Sequence, residues 1–305
     1  MFKDKQQKIL VIVGPTASGK SDLAIKLAKK YNAEIISADS RQVYHGMNIG
    51  TGKVTKKEQK IIKHHLIDVV SPKKIFTADD FKKLGQKVLI DLASQSKLPI
   101  IVGGAGLYID VLLGRVHIPE ITPNPKLRRR LEKLPVEHLF KMLKKLDPQR
   151  AKTIESKNKR RLVRALEIVE SIGKVPSLNT KHKILDTKYN ILWIGLRPDN
   201  LQKKIKIRLE KRLKQGMIKE VKKLHARGVS WKRLHDLGLE YRWIAKYLRK
   251  EINYKDMKEG LLKDIIKYSK RQMTWFKRNK EIKWFPSPQA FLRQATGLLA
   301  TALRE

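Results

Sequence analysis

Gly14-Pro15-Thr16-Ala17-Ser18-Gly19-Lys20-Ser21 has the spacing G-x-x-x-x-G-K-[ST]. It stands between an apolar run that reads as a strand and a stretch with helical spacing, which is the context such a loop needs. The chemistry it offers is anion binding. Backbone N–H groups can wrap a phosphate, the helix N-terminus adds a favourable dipole, Lys20 supplies a point charge and the Ser21 hydroxyl can ligate Mg²⁺. Gly14, Thr16, Ala17, Ser18, Gly19, Lys20 and Ser21 are therefore expected to hold a pyrophosphate or a longer phosphate chain, with Mg²⁺ on Ser21. The loop does not say what is transferred. Asp39, just after the second apolar run, fits two jobs: a metal-holding carboxylate, as a nucleotide phosphotransferase requires, or a general base.

The elements that must position these groups follow from the pattern of apolar residues. Lys8–Val13, Glu34–Ser37, His65–Val70, Pro99–Val102, Tyr189–Leu196 and Ile282–Phe285 read as short strands, and helical stretches stand between the early ones. That alternation predicts an α/β fold: a P-loop NTPase-like core with a mostly parallel sheet, plus an inserted helical subdomain and C-terminal helices. Ser21–Lys30 and Thr77–Ser94 read as helices, the second with Thr77 as N-cap. After Pro119, Pro123 and Pro125 the strand pattern stops until Tyr189. Residues 120–188 are read as the inserted subdomain, and 1–119 with 189–305 as the core. Asp199–Arg227, Trp231–Arg249 and Tyr254–Phe276 are three long basic helical stretches. Tyr108, Trp193 and Trp231 read as packing residues.

Charge narrows the class of partner. The 305 residues carry 69 Lys and Arg against 29 Asp and Glu, a formal charge of +40. Such an excess repels itself and calls for a polyanion, with nucleic acid fitting better than a membrane surface. No run approaches the length needed to span a bilayer. The polar N-terminus does not resemble a signal peptide, and the chain has no cysteine, which rules out thiolate chemistry and suits a cytoplasmic protein. His64-His65 raises a metal site, but adjacent histidines on a strand point apart and no ligand pattern accompanies them; a structural or RNA-contact role is expected.

Asp39-Ser40-Arg41-Gln42-Val43-Tyr44, followed by Gly46-Met47-Asn48-Ile49-Gly50-Thr51-Gly52-Lys53, resembles the D-S-x-Q-x-Y and G-M-x-I-G-T-x-K signature of the tRNA dimethylallyltransferase family. The resemblance continues at His64–Asp68, Phe76–Phe81, Val102–Tyr108, Arg161–Glu167 and Lys270–Phe276, in the family's order and over nearly the whole chain. It implies that the loop holds dimethylallyl pyrophosphate, and that the acceptor is the exocyclic amine of the adenine beside the anticodon, position 37. Asp39 would then take the amine's proton. Thr16 would contact the pyrophosphate near its bridging oxygen, and Arg208 would face the diphosphate across the site. The partner implied is the anticodon stem-loop of one tRNA, bound by a monomer.

An adenine stacked in that loop must be turned out to react. Ser40, Gln42, Tyr44, Gly50, Thr51 and Lys53 are candidates to meet the RNA, with Arg161 and Arg164 from the insertion. Lys270, Arg271, Gln272 and Trp275 combine charge with an aromatic face, as nucleotide gripping requires. The chain departs from the family at Ala105, usually threonine, at Arg212, usually methionine, at Lys204, usually arginine, at Gly238–Arg242 and at Glu155–Asn158. The alternatives are a P-loop nucleotide kinase or RNA-dependent NTPase, prenyl transfer to a free adenine nucleotide, and a non-enzymatic RNA-binding protein.

Overall fold

The computed structural model describes residues 7–176, 189–295 and 297; the end of the expected insertion, 177–188, lies outside them. In chain order the elements are β1 (Gln7–Val13), α1 (Lys20–Lys30), β2 (Ala33–Ala38), α2 (Lys56–Ile61), β3 (His64–His65), α3 (Ala78–Ser94), β4 (Leu98–Gly103) and α4 (Gly106–Leu112). Then come α5 (Pro125–Lys133), α6 (Val136–Leu146), α7 (Pro148–Thr153) and α8 (Lys159–Ile172). The chain continues through β5 (Tyr189–Leu196), α9 (Leu201–Lys214), α10 (Met217–Ala226), α11 (Trp231–Leu237), α12 (Leu239–Leu248), α13 (Tyr254–Phe276), β6 (Lys283–Phe285) and α14 (Pro288–Gln294). They fall into two compact units: Met1–Leu113 with Ile184–Glu305, and Gly114–Lys183.

The larger unit is built on a six-stranded sheet in the order β3-β2-β4-β1-β5-β6, with every pairing parallel. A strand covered on both faces must be apolar on both, and Leu10–Val13 are fully buried. Alternation divides β1 between two cores. Ile9, Val11 and Val13 pack with Phe81, Leu89, Ile109 and Phe276, while Leu10 and Ile12 pack with Leu23, Leu27 and Phe291. α9 to α13 gather a third core of their own around Met47, Leu209, Val221, Tyr241 and Leu261. The C-terminal ends of β1, β2 and β4 lie side by side, and ligands bind at that edge in open α/β sheets. There the Ala105 N–H donates to the Ala38 carbonyl at 3.2 Å.

α3 begins as expected: Thr77 caps it, and Thr77 and Asp80 form a reciprocal capping box. Three expectations are corrected. The third strand is only His64–His65, because Leu66 and Asp68 turn the backbone to φ +60° and +53°. The stretch Asp199–Arg227 is two helices, broken at Gly216 with φ +95°. Trp231–Arg249 is likewise broken at Gly238, with φ +78°. His65 is structural: its Nε2 meets Glu34 at 2.6 Å, and Lys97 pairs with the same carboxylate. Among the described residues no group of three or more His, Cys, Asp or Glu could hold a metal. None of their helices is long and apolar enough to cross a membrane.

The smaller unit packs Leu127, Leu131, Leu139, Leu143, Leu162 and Leu166 together. Its polar centre is the buried Glu167, which accepts from both ends of the Arg128 guanidinium at 2.9 and 2.7 Å, from the Asn124 N–H at 2.6 Å and from Arg164. Those donors hold its carboxyl below the usual carboxylate range against the opposing effect of burial.

Candidate active site

The loop after β1 adopts backbone angles that few side chains tolerate. Gly14 lies at φ +150°, Ala17 at +63° and Gly19 at +86°. A Cβ on Gly14 would stand 2.5 Å from the carbonyl oxygen of Leu196 at the end of β5, so only glycine fits there. Gly19 is the N-cap of α1 and supplies no side-chain acceptor. The first-turn N–H groups of α1 are thus left for an external anion.

Lys20 is partly buried and its Nζ donates to the Pro15 carbonyl at 3.0 Å. Burial brings its pKa down to about 8; the neighbouring Arg208 guanidinium pushes the same way and the Asp39 carboxylate opposes. Arg208 is also held below its ordinary value, first by burial and then by Arg212, with Glu240, Asp39 and Asp22 opposing. Two cations kept close in a partly desolvated place, with too little negative charge of their own, make a site that an anion completes. Between them opens a cleft of about 850 Å³. Its walls are the phosphate loop from Ala17 to Asp22, the segment Gly52–Lys56, and α9 through Lys204, Arg208 and Lys211.

Asp39 lies off the walls of that cleft but within the electrostatic reach of Lys20, Arg208 and Tyr268. Its Oδ1 accepts from the backbone N–H groups of Arg41 at 2.8 Å and Gln42 at 3.2 Å. One oxygen therefore fixes the turn, while Oδ2 has no partner among the described residues and is available to accept a proton. The Ser21 hydroxyl, on the cleft wall, also lacks a partner among the described residues. A single hydroxyl without a carboxylate cage suits Mg²⁺, which takes its other ligands from phosphate oxygens and water.

α13 braces the phosphate loop. Gln272, almost wholly buried, accepts from the Thr16 N–H at 2.9 Å and donates to the Gly104 carbonyl at 3.0 Å. Gln272→Leu leaves both backbone groups unpaired. It should cost about 1–3 kcal/mol of stability, read by denaturant unfolding, and weaken inorganic pyrophosphate binding about tenfold, read by calorimetry.

Several residues expected at the RNA are committed inside the protein. Gln272 is that brace. Tyr44 is buried and its hydroxyl bonds Arg233 and the Phe76 N–H. Lys53 has its ammonium on Asp68 and the Tyr44 carbonyl. Thr51 donates to the Met47 carbonyl at 2.8 Å. Trp275 packs over Gly106 and donates to Asp110 at 2.8 Å. Arg164 donates to Glu167 and the Ile121 carbonyl. A Cβ on Gly50 would strike the Tyr241 hydroxyl, and one on Gly52 the Arg208 guanidinium. Gln42 accepts from Ser37 at 3.0 Å, and Ser40 is partly exposed. Arg161, Lys270 and Arg271 are exposed. Glu220, Glu240 and Tyr268, which do shape the site, were not anticipated. The one sequence signal for Glu220 is that it is the only acid in α10.

The chain resembles known proteins over most of its length. Residues 42–279 match the family model described as IPP transferase. The chain is 38% identical to tRNA dimethylallyltransferase 1 of Citrifermentans bemidjiense over 95% of each chain. It is 38% identical to the tRNA dimethylallyltransferase of Clostridioides difficile over 93% of each. Among solved structures, the tRNA isopentenylpyrophosphate transferase of Bacillus halodurans superposes with a TM-score of 0.72 at 32% identity, covering 98% of this chain and 97% of that one. A eukaryotic dimethylallyltransferase described as acting on tRNA gives 0.80 at 25% identity, covering 98% of this chain and 78% of that one.

Proposed function

We infer the reaction from one premise: the chain belongs to the IPP transferase family. It transfers a dimethylallyl group from dimethylallyl pyrophosphate to the N6 amine of the adenosine beside the tRNA anticodon, position 37. The observation that carries this is the pairing of an anion site, built by the phosphate loop, Lys20 and Arg208, with the free Oδ2 of Asp39. In the reaction the adenine N6 forms a bond to C1 of the dimethylallyl group, and the C1–O bond breaks with its electron pair leaving on the diphosphate. The N6 proton passes to Asp39. Lys20, Arg208 and the N–H groups of the loop stabilise the charge that grows on the leaving group. Mg²⁺, held by Ser21 and the diphosphate, would supply further charge neutralisation there.

The exposed cations Lys270 and Arg271 on α13 and Arg161 on α8 are positions for RNA phosphate contact, consistent with a formal charge of +40. A nucleotide kinase is not favoured, since the relatives that the chain resembles over most of its length are tRNA dimethylallyltransferases. The test is a transfer assay with labelled dimethylallyl pyrophosphate, Mg²⁺ and unmodified tRNA bearing adenines beside the anticodon. Label should enter tRNA and not free AMP. Absence of label in tRNA together with turnover of γ-labelled ATP would overturn the assignment.

A further inference from the structure

The segment Asn48–Gly52 has its two polar sides sorted. Its N–H groups converge on one carboxylate: Glu220 of α10 accepts from Asn48 at 2.9 Å, Ile49 at 2.6 Å and Gly50 at 3.0 Å, and from the Tyr241 hydroxyl at 3.0 Å. Three successive amides gathered on an anion would suit a phosphate, and here the protein's own side chain occupies them. The carbonyls serve the other side. The Gly50 oxygen accepts from Arg212 Nη1, and the Gly52 oxygen accepts from Arg208 Nη2 at 3.3 Å. Arg212 is nearly buried and its other nitrogen, Nη2, pairs with Glu240 at 2.9 Å. A Cβ on Gly52 would fall within 2.1 Å of Arg208 Nη2, so the guanidinium rests directly on that backbone.

We propose that Glu220 and Arg212 are positioning residues for the diphosphate-facing arginine: together they orient the peptide groups of Asn48–Gly52 so that the Gly52 carbonyl holds Arg208 against the cleft. The proposal rests on the transferase reading above. The chain that makes it work is short. Glu220 holds the Ile49 N–H, whose peptide plane carries the Asn48 carbonyl. That carbonyl accepts from the Lys53 N–H at 2.9 Å, whose peptide plane carries the Gly52 carbonyl, and Arg212, anchored by Glu240, locks the intervening Gly50. Arg208 then meets a prepaid geometry and does not have to order itself on each encounter. Arg212 stands where the resembled family has methionine, so this chain carries a second guanidinium one turn along α9 from Arg208.

The test is a double-mutant cycle. Glu220→Gln keeps the size of the side chain and removes its charge; Arg212→Lys keeps the charge and removes the fork. Each is made in the parent protein and in an Arg208→Ala background, with folding checked by thermal melting. Both should raise the KM for dimethylallyl pyrophosphate about tenfold in the parent while moving the KM for tRNA by less than about twofold. In the Arg208→Ala background each should change the donor KM by less than about twofold, because residues that act through one another are not additive. Equal losses in both backgrounds, no loss in the parent, or a matching rise in the tRNA KM would overturn the proposal. Inorganic pyrophosphate binding, measured by calorimetry on the same four-member cycle, gives the same comparison without turnover. A parent protein that transfers no label yet shows the non-additive pyrophosphate affinity would sink the reaction and leave the positioning role standing.

Discussion

Asp39→Asn should lower the rate of transfer to tRNA by about 10³-fold, within the range of about 10²–10⁴ that a positioned general base contributes. The substitution preserves shape. An asparagine Oδ1 still accepts from the Arg41 and Gln42 N–H groups, as Asp39 does at 2.8 and 3.2 Å, so the turn after β2 should persist. What is lost is the second oxygen's ability to take the proton of the attacking amine. Tight donor binding should survive, which puts the effect on kcat and not on the donor KM. A second consequence separates this role from a structural one. The Asp39 carboxylate opposes the depression of Lys20, so removing it should lower the Lys20 pKa further and move any alkaline fall in donor affinity to lower pH. A loss of less than about tenfold in kcat, measured by label transfer under saturating donor and tRNA, would remove Asp39 from the chemistry.

Lys20→Met should cost about 10²–10³-fold in kcat, the scale of one charged group removed from a developing anion, and should also make the ligand-free protein more stable at neutral pH. The sign follows from the direction of the shift. The Lys20 pKa is lowered from 10.5 to about 8, so the folded state carries a cation it disfavours below pH 8, and this penalty fades as pH rises from about 8 toward 10.5. Methionine removes the penalty. A bound diphosphate offsets it in the parent protein, so donor affinity should fall as pH rises through about 8, and binding near that pH should take up protons. Calorimetry in two buffers of different ionisation heat reads the proton uptake; thermal melting of the variant reads the stability. A variant that melts below the parent at pH 7 without ligand would show that Lys20 holds the loop together through its bond to Pro15, and not that it waits for an anion.

Much of the scaffold was legible in the sequence because buried parallel strands announce themselves as continuous apolar runs, and Lys8–Val13 and Tyr189–Leu196 are such runs. The phosphate loop was legible because its signature lies within eight consecutive residues, although what crowds its two glycines, Leu196 and Pro288, comes from far along the chain. Helix breaks were less so. Gly216 and Gly238 sit inside stretches whose apolar spacing continues on either side, and only their positive φ reveals the turn. The roles of polar residues were the least legible. Gln272 reads as a surface group until its partner is known, and that partner, Thr16, is 256 positions away. The partners of Lys53 and Tyr44 were hidden for the same reason: a cation or a phenol in a loop does not declare what holds it until Asp68 and Arg233 are seen beside it. Spacing reports which face a residue lies on, and says nothing of what crosses from elsewhere to meet it.

β1 is flanked by β4 on one side and β5 on the other, in register from Gln7 with Tyr189 to Val13 with Gly195. The Leu196 carbonyl also closes over Gly14. During synthesis the strand that leads into the phosphate loop therefore emerges first and waits, one edge unpaired, until residues 189–196 have left the ribosome. Nascent chains that stall within the insertion expose that edge and are candidates for chaperone capture or mispairing. They also lack a finished anion site, so the ability to bind donor arrives only after Arg208 on α9 has emerged as well.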